Sequence, residues 1–155
     1  MAMTESLVVA DAVWQEVERH RPHLLLNDRI RLVRVSITTL SEVQALASIY
    51  TLHHGEKQAL SVCLVRSIPK LLSDDTAARL AAKTLQIQSY GTLGLLIRAV
   101  RKGHKTPKEV LALLSQVSTK SSLHIKPSLL ENIIAQVSQE WHLPEDRYDG
   151  VNSDL

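Results

Sequence analysis

Apolar residues recur at the helical spacing i, i+3, i+4 and i+7 along most of the chain, as in Leu93, Leu96, Ile97 and Val100. The stretch 106–109 combines a threonine, a proline and a glutamate in the order that favours a helix N-terminus. Similar Thr-to-Glu and Ser-to-Glu spacings at 39–42 and 128–131 predict two more capping boxes. The predicted helices cover residues 11–20, 39–50, 56–65, 76–84, 91–102, 106–117 and 128–137.

Short apolar runs between these helices predict four strands, at residues 6–9, 29–36, 70–73 and 86–90. We expect the first to be buried. The second alternates apolar residues with Arg29, Arg31 and Arg34, which is typical of a strand near a sheet edge. Strands that alternate with helices predict a short parallel sheet covered on both faces, so we expect a three-layer α/β/α domain. Ligands of such sheets bind beyond the carboxyl ends of the strands.

The composition is that of an ordinary folded protein of 155 residues, with 45% hydrophobic and 22% charged residues. This length predicts one domain over residues 1–140, followed by a polar tail at 141–155 that we expect to be disordered. A single cysteine, Cys63, excludes an internal disulfide and favours a reducing compartment. The sequence shows neither a signal-peptide pattern nor an apolar run that could span a bilayer, so we expect a cytoplasmic protein.

Asp74 and Asp75 follow the third predicted strand directly, at the end where ligands bind in parallel sheets. Two adjacent carboxylates there suit Mg²⁺, which takes one or two carboxylates together with water and phosphate oxygens. The structural alternative is that Asp75 caps the helix that begins at Thr76. That alternative accounts for one aspartate and leaves the other without a role.

Glu16 and Glu56 are two further acids in marked positions. Glu56 lies in the first turn of a helix that is otherwise poor in charge, where the helix dipole alone would explain a glutamate. Glu16 lies on an amphipathic helix and is equally compatible with a solvated face. His53 and His54 have no partners at zinc-binding spacing, so we expect them in a surface turn.

A basic cluster lies near the end of the helix at 91–102. Cations at a helix C-terminus complement its dipole, and a phosphate-binding rim is the functional alternative. Aromatic residues make up only 3% of the chain, which disfavours recognition of single strands by base stacking. The cluster consists of Arg98, Arg101, Lys102, His104 and Lys105.

Taken together, these features resemble the PIN domain, and within it the bacterial branch of VapC-like toxins. Five stretches carry the resemblance, and their order and spacing are more specific than any one of them. The resemblance extends over nearly the whole chain to Gln139. The stretches are residues 8–17, 52–60, 71–79, 91–96 and 98–103.

The resemblance implies a ribonuclease that depends on Mg²⁺ or Mn²⁺. In that family, acids from separate elements hold the metal, and the metal activates water for the cleavage of RNA. The implied partners are an RNA substrate and an antitoxin protein. Matched by motif, the metal ligands and catalytic acids are Glu16, Glu56, Asp74 and Asp75, with Thr92 as a small hydroxyl residue near the site.

The family's first strand, which ends in a metal-binding aspartate, has no counterpart ahead of Leu7 in this sequence. We therefore expect an N-terminally truncated PIN-like sheet of four strands, with weakened Mg²⁺ binding. A sheet without its middle strand exposes backbone and apolar edges, so we also expect a homo-oligomer or a complex with an antitoxin.

The leading hypothesis is an Mg²⁺-dependent endoribonuclease, the toxin component of a toxin–antitoxin system. Its activity is uncertain because the first metal-binding aspartate has no counterpart here. The alternative hypothesis is a catalytically inactive PIN-like domain that binds protein or RNA.

Overall fold

Four short strands alternate with helices in the first part of the chain. The computed structural model describes residues 6–120 and 125–141, and the chain divides into two compact units after Gly91. Apart from Trp141, the tail predicted at 141–155 lies outside the described residues. The first unit contains strands β1 (Ser6–Ala10), β2 (Arg31–Val35), β3 (Lys70–Leu72) and β4 (Gln88–Tyr90), with helices α1 (Asp11–His20), α2 (Ser41–Leu46), α3 (His54–Val65) and α4 (Thr76–Thr84) and a 3₁₀ helix at Pro22–Leu26. The second unit contains helices α5 (Thr92–Arg101), α6 (Pro107–Lys120) and α7 (Pro127–Glu140).

The predicted α/β class and the parallel pairing of the strands are confirmed. β1 pairs with β2 from Ser6↔Arg31 to Ala10↔Val35, and β3 pairs with β4 from Lys70↔Gln88 to Leu72↔Tyr90. Within the described residues, the four strands form two separate pairs instead of one continuous sheet. The expectation that the first strand is buried is wrong for its beginning: Leu7 is 37% exposed, and only Ala10 at the end of β1 is fully buried.

Helix α3 supports both strand pairs. Its residue Val62 is buried with Ala10 and Val35 at the ends of β1 and β2. Leu60 and Cys63, on the other side of the helix, are buried in a cluster that includes Leu71 of β3. A helix turns by about 100° per residue, so Val62 and Leu60 point in nearly opposite directions. This two-sided burial explains why α3 is apolar almost all round.

Two polar side chains of α3, Gln58 and Ser61, join the helix to neighbouring segments. The Gln58 side chain accepts from Ala12 N–H at 2.8 Å and donates to Ile37 C=O at 3.2 Å. Ser61, which is fully buried, donates to Lys57 C=O and accepts from Leu40 N–H at 3.1 Å.

The capping box predicted at 39–42 is wrong. Helix α2 begins at Ser41, without a side-chain cap, and it ends at Leu46 instead of residue 50.

Helices α3 and α4 end in turns of the same type, although neither turn contains a glycine. Ser67 and Gln86 adopt left-handed backbone angles, with φ of 52° and 60°. The next residue in each case, Ile68 or Ile87, donates its N–H to a carbonyl five residues earlier, at 2.8 Å. This is the Schellman motif. It also explains why β4 begins at Gln88 and not at residue 86 as predicted, because a left-handed residue cannot continue a strand.

Helix caps and an ion pair stabilise the second unit. Gly103, with φ of 74°, ends α5 as predicted, and Thr106 and Glu109 exchange the hydrogen bonds of a capping box, which lower the pKa of Glu109. The box predicted at 128–131 is wrong, because α7 begins at Pro127 without a side-chain cap. Arg101 donates to both carboxylate oxygens of Glu140 at 3.2 Å. The apolar core of this unit contains Val100, Val110, Leu111, Leu114, Ile133 and Val137.

Glycine at either left-handed position should stabilise the first unit. Ser67 and Gln86 are exposed, so their substitution removes little packing. The left-handed conformation costs a residue with a Cβ about 1–2 kcal/mol, and the greater flexibility of glycine in the unfolded chain offsets part of that gain. We expect Ser67→Gly and Gln86→Gly each to raise the free energy of unfolding by about 0.5–1 kcal/mol, as measured by urea denaturation.

The matched controls are Ser67→Ala and Gln86→Ala, which keep the Cβ and should not stabilise. Equal effects of glycine and alanine would show that the left-handed backbone is not the source of the strain.

Candidate functional site at the carboxyl ends of β3 and β4

Asp75 caps helix α4, as the structural alternative predicted. Its Oδ1 accepts from Ala78 N–H at 2.8 Å, and its own N–H donates to the Ser73 hydroxyl at 3.2 Å. Ser73 N–H donates in turn to Tyr90 C=O at 3.0 Å, which extends the pairing of β3 with β4 by one residue. The chain therefore passes from the strand into the helix through three consecutive polar residues, each held by a hydrogen bond or an electrostatic contact.

Asp74 lies against Gly91, which follows the last residue of β4. A Cβ at Gly91 would stand 2.9 Å from Asp74 Oδ1, closer than real Cβ atoms approach such an oxygen. Arg79 Nη1 is 3.6 Å from the same point. Because glycine has no Cβ, this carboxylate can lie against the backbone that follows β4, with Arg79 of α4 nearby.

Glu56 also acts as a cap. Its Oε2 accepts from His53 N–H at 2.7 Å, at the start of α3. Glu16 is exposed on α1, and its Oε2 lies 4.0 Å from where a Cβ on Gly55 would stand. The structure thus brings Glu16 to the N-terminal turn of α3, where Glu56 also lies. The helix dipole favours negative charge at this end of α3.

The remaining predicted residues have separate surroundings. Thr92 is the first residue of α5 and belongs to the second unit. His53 and His54 are exposed at the start of α3. Cys63 is buried, and burial raises the pKa of its thiol, which is consistent with a packing role.

The acids do not form a metal-binding group as they stand. Across residues 6–120 and 125–141, no three or more His, Cys, Asp or Glu side chains are grouped so that they could hold a metal ion. Asp75 and Glu56 each have one oxygen engaged in a helix cap. Three or more of the four acids that the resemblance implies are therefore not grouped around one point in this arrangement, although Mg²⁺ itself takes only one or two carboxylates.

The basic cluster divides into paired and exposed residues. The ion pair with Glu140 joins α5 to α7 and raises the pKa of Arg101, so this residue has a structural role. Lys102, His104 and Lys105 are exposed around the turn at Gly103. Lys105 also attracts the Glu109 carboxylate of the capping box, so Lys102 and His104 are the more open of the three to an anionic ligand.

Short parallel strand pairs that alternate with helices define an α/β protein. The PIN-domain family model DUF3368 matches residues 1–139. Since this match spans most of the sequence, the chain belongs to the PIN-domain family. No curated protein and no solved structure shows significant similarity to it. None of the helices in the described part of the chain combines the length and apolarity needed to cross a membrane.

Two features of the site were not predicted from the sequence, namely the role of Gly91 and the nearby position of Arg79. Gly91 could have been noticed as a glycine directly after a strand, which is a common sign of close backbone approach. Arg79 gave no signal, because its proximity to Gly91 depends on how α4 lies beside β4.

A Cβ at Gly91 should be costly because of Asp74 in particular. Asp74 is exposed, so its carboxylate can turn away at about the cost of leaving a preferred rotamer, and we expect Gly91→Ala to lower the free energy of unfolding by about 0.5–1.5 kcal/mol. In an Asp74→Ala background the same substitution should cost less than half as much, since the clashing carboxylate is gone. A double-mutant cycle by urea denaturation measures the difference.

Gly94→Ala is the matched control, because a Cβ at Gly94 in α5 meets nothing within 4 Å. It should stabilise the helix by about 0.5–1 kcal/mol. An equal cost of Gly91→Ala in both backgrounds would contradict the contact between Asp74 and Gly91.

Proposed function

We propose that this chain is a PIN-family module that binds RNA without cleaving it. The observation that carries the proposal is the use of the predicted catalytic acids: Asp75 and Glu56 cap their own helices, and the described acids form no three-ligand group. PIN domains have a nuclease-like fold and generally bind RNA. The arrangement of the acids favours RNA binding without RNA cleavage, which retains one part of the family's role.

Contacts to phosphate fit the exposed cations better than contacts to bases. Lys102, His104 and Lys105 lie together on the surface, and aromatic residues for stacking are scarce. Binding through phosphate releases counterions, so affinity should fall steeply as salt rises. A net charge of +2 leaves little general attraction, so affinity has to come from a local basic group such as this one.

The second candidate is the Mg²⁺- or Mn²⁺-dependent endoribonuclease, acting as the toxin of a toxin–antitoxin pair. Family membership favours it, as does the position of Asp74 beyond the end of β3. In this case Glu16, Glu56, Asp74 and Asp75 would be the metal ligands and catalytic acids, and Thr92 would be the small hydroxyl residue that the family resemblance implies. The partners would be an RNA substrate, an antitoxin and a second copy of the chain, since each strand pair leaves its outer edges open among residues 6–120 and 125–141.

RNA binding should survive removal of divalent metal. With a labelled RNA pool in EDTA, we expect saturable binding in fluorescence anisotropy, with an affinity that falls as salt rises. Replacing both Lys102 and Lys105 by Gln should weaken binding and reduce the salt slope by up to about 1.4, because each phosphate contact to a single strand contributes about 0.7. Arg66→Gln, at an exposed position after α3, is the control and should change neither quantity. Absence of binding at low salt would overturn the proposal.

Cleavage distinguishes the two candidates. We expect the same RNA pool to remain intact with Mg²⁺ or Mn²⁺ on a denaturing gel. Metal-dependent cleavage that disappears in the Asp74→Asn, Asp75→Asn variant would contradict the RNA-binding proposal and support the nuclease. Asparagine caps helices about as well as aspartate, so loss of activity in this variant would not reflect loss of the α4 cap.

A further inference from the structure

A groove of about 540 Å³ lies between helix α4 and strand β4, wholly within the first unit. Arg79, Leu80 and Lys83 line it from the helix, and residues 86–89 line it from the strand side. These helix positions are spaced i, i+1 and i+4, so their side chains share one face of α4. All three are exposed, with Leu80 at 47%. The groove therefore combines two cations with an accessible apolar surface.

The strand side of this groove is an open sheet edge. Gln88 N–H donates to Pro69 C=O, and Tyr90 C=O accepts from Ser73 N–H, so both residues direct backbone groups towards β3. Successive residues of a strand alternate in direction, which turns the backbone N–H and C=O of Ser89 towards the opposite edge. Within the described residues, β4 pairs with β3 alone. An added strand could therefore pair with Ser89.

The cations are available to a ligand. Among the described residues, neither Arg79 nor Lys83 forms an ion pair, although the Asp74 carboxylate also approaches Gly91 beside Arg79. Residues four apart on a helix are separated by about 6 Å along its axis. Alternate residues of an extended peptide, which face the same side, are separated by about 6.6 Å. Two carboxylates at alternate positions of an extended peptide would thus match the spacing of Arg79 and Lys83.

We propose that this groove binds an extended acidic peptide, which adds to β4 as a third strand and presents carboxylates to Arg79 and Lys83. Addition of a peptide strand to an open sheet edge is a common mode of recognition. A peptide backbone pairs with the Ser89 N–H and C=O, whereas a nucleic acid backbone offers no such alternating pattern. No aromatic residue lines the groove, so base stacking has no support there. This site is independent of the proposed RNA-binding function.

The experiment uses the full chain and a fluorescein-labelled peptide, TVEVEVT, in an anisotropy titration. We expect saturable binding that weakens at least tenfold when both glutamates are replaced by glutamine. The double variant Arg79→Gln, Lys83→Gln should weaken binding of the acidic peptide by a similar factor. The double variant Lys102→Gln, Lys105→Gln removes the same charge elsewhere and should leave peptide affinity unchanged.

A second variant tests strand pairing separately from charge. Ser89→Pro removes an N–H that points away from β3, so the pairing of β3 with β4 is retained, and proline is tolerated on such edges. We expect this variant, with its fold verified by circular dichroism, to lose peptide binding at least tenfold while keeping both cations. Full affinity in Ser89→Pro would overturn the added strand.

Three other outcomes would also overturn the proposal. One is the absence of saturable peptide binding to the wild-type chain. Another is the loss of RNA binding, instead of peptide binding, in the Arg79→Gln, Lys83→Gln variant, which would assign the groove to nucleic acid. The third is self-association of the chain that Ser89→Pro abolishes, because the occupant would then be a second copy.

Discussion

The first unit depends on the burial of α3 from two sides. Val62 packs against the ends of β1 and β2, while Leu60 and Cys63 pack towards β3. A two-stranded parallel sheet has little stability alone, because its apolar surface is buried only where a helix packs on it. One shared helix therefore stabilises two strand pairs that, in the part of the chain the structure describes, form separate sheets. Ser61, fully buried in α3, keeps its hydroxyl satisfied within this packing through Lys57 and Leu40.

The sequence was informative where structure follows from local pattern. Helix periodicity, the order of strands and helices, and the cap at 106–109 all depend on neighbours within a few residues, and they were predicted correctly. The boxes expected at 39–42 and 128–131 failed, since helices α2 and α7 begin at Ser41 and Pro127 without side-chain caps. The division of the strands into two pairs was also missed. Strand pairing joins distant parts of the chain, and no local pattern reports which edges stay open.

The candidate site was likewise predictable in its local features and not in its contacts between distant segments. The location of Asp74 and Asp75 beyond a strand was predictable, because a strand followed by polar residues and a helix has a sequence signature. Their surroundings were not. Gly91 approaches Asp74 only because β4 pairs with β3, and Arg79 reaches the same point from α4. The left-handed Ser67 and Gln86 were equally hidden, since neither is the glycine that usually marks such a turn.

A carboxylate that caps a helix is oriented by that helix, with one oxygen engaged and the other open to a second partner. Asp75 and Glu56 are both held in this way. Each is then tied to its own helix, so their separation is set by the packing of α3 against α4 through buried residues such as Leu60 and Ala78. Helix capping alone thus accounts for two of the four acids, Asp75 and Glu56.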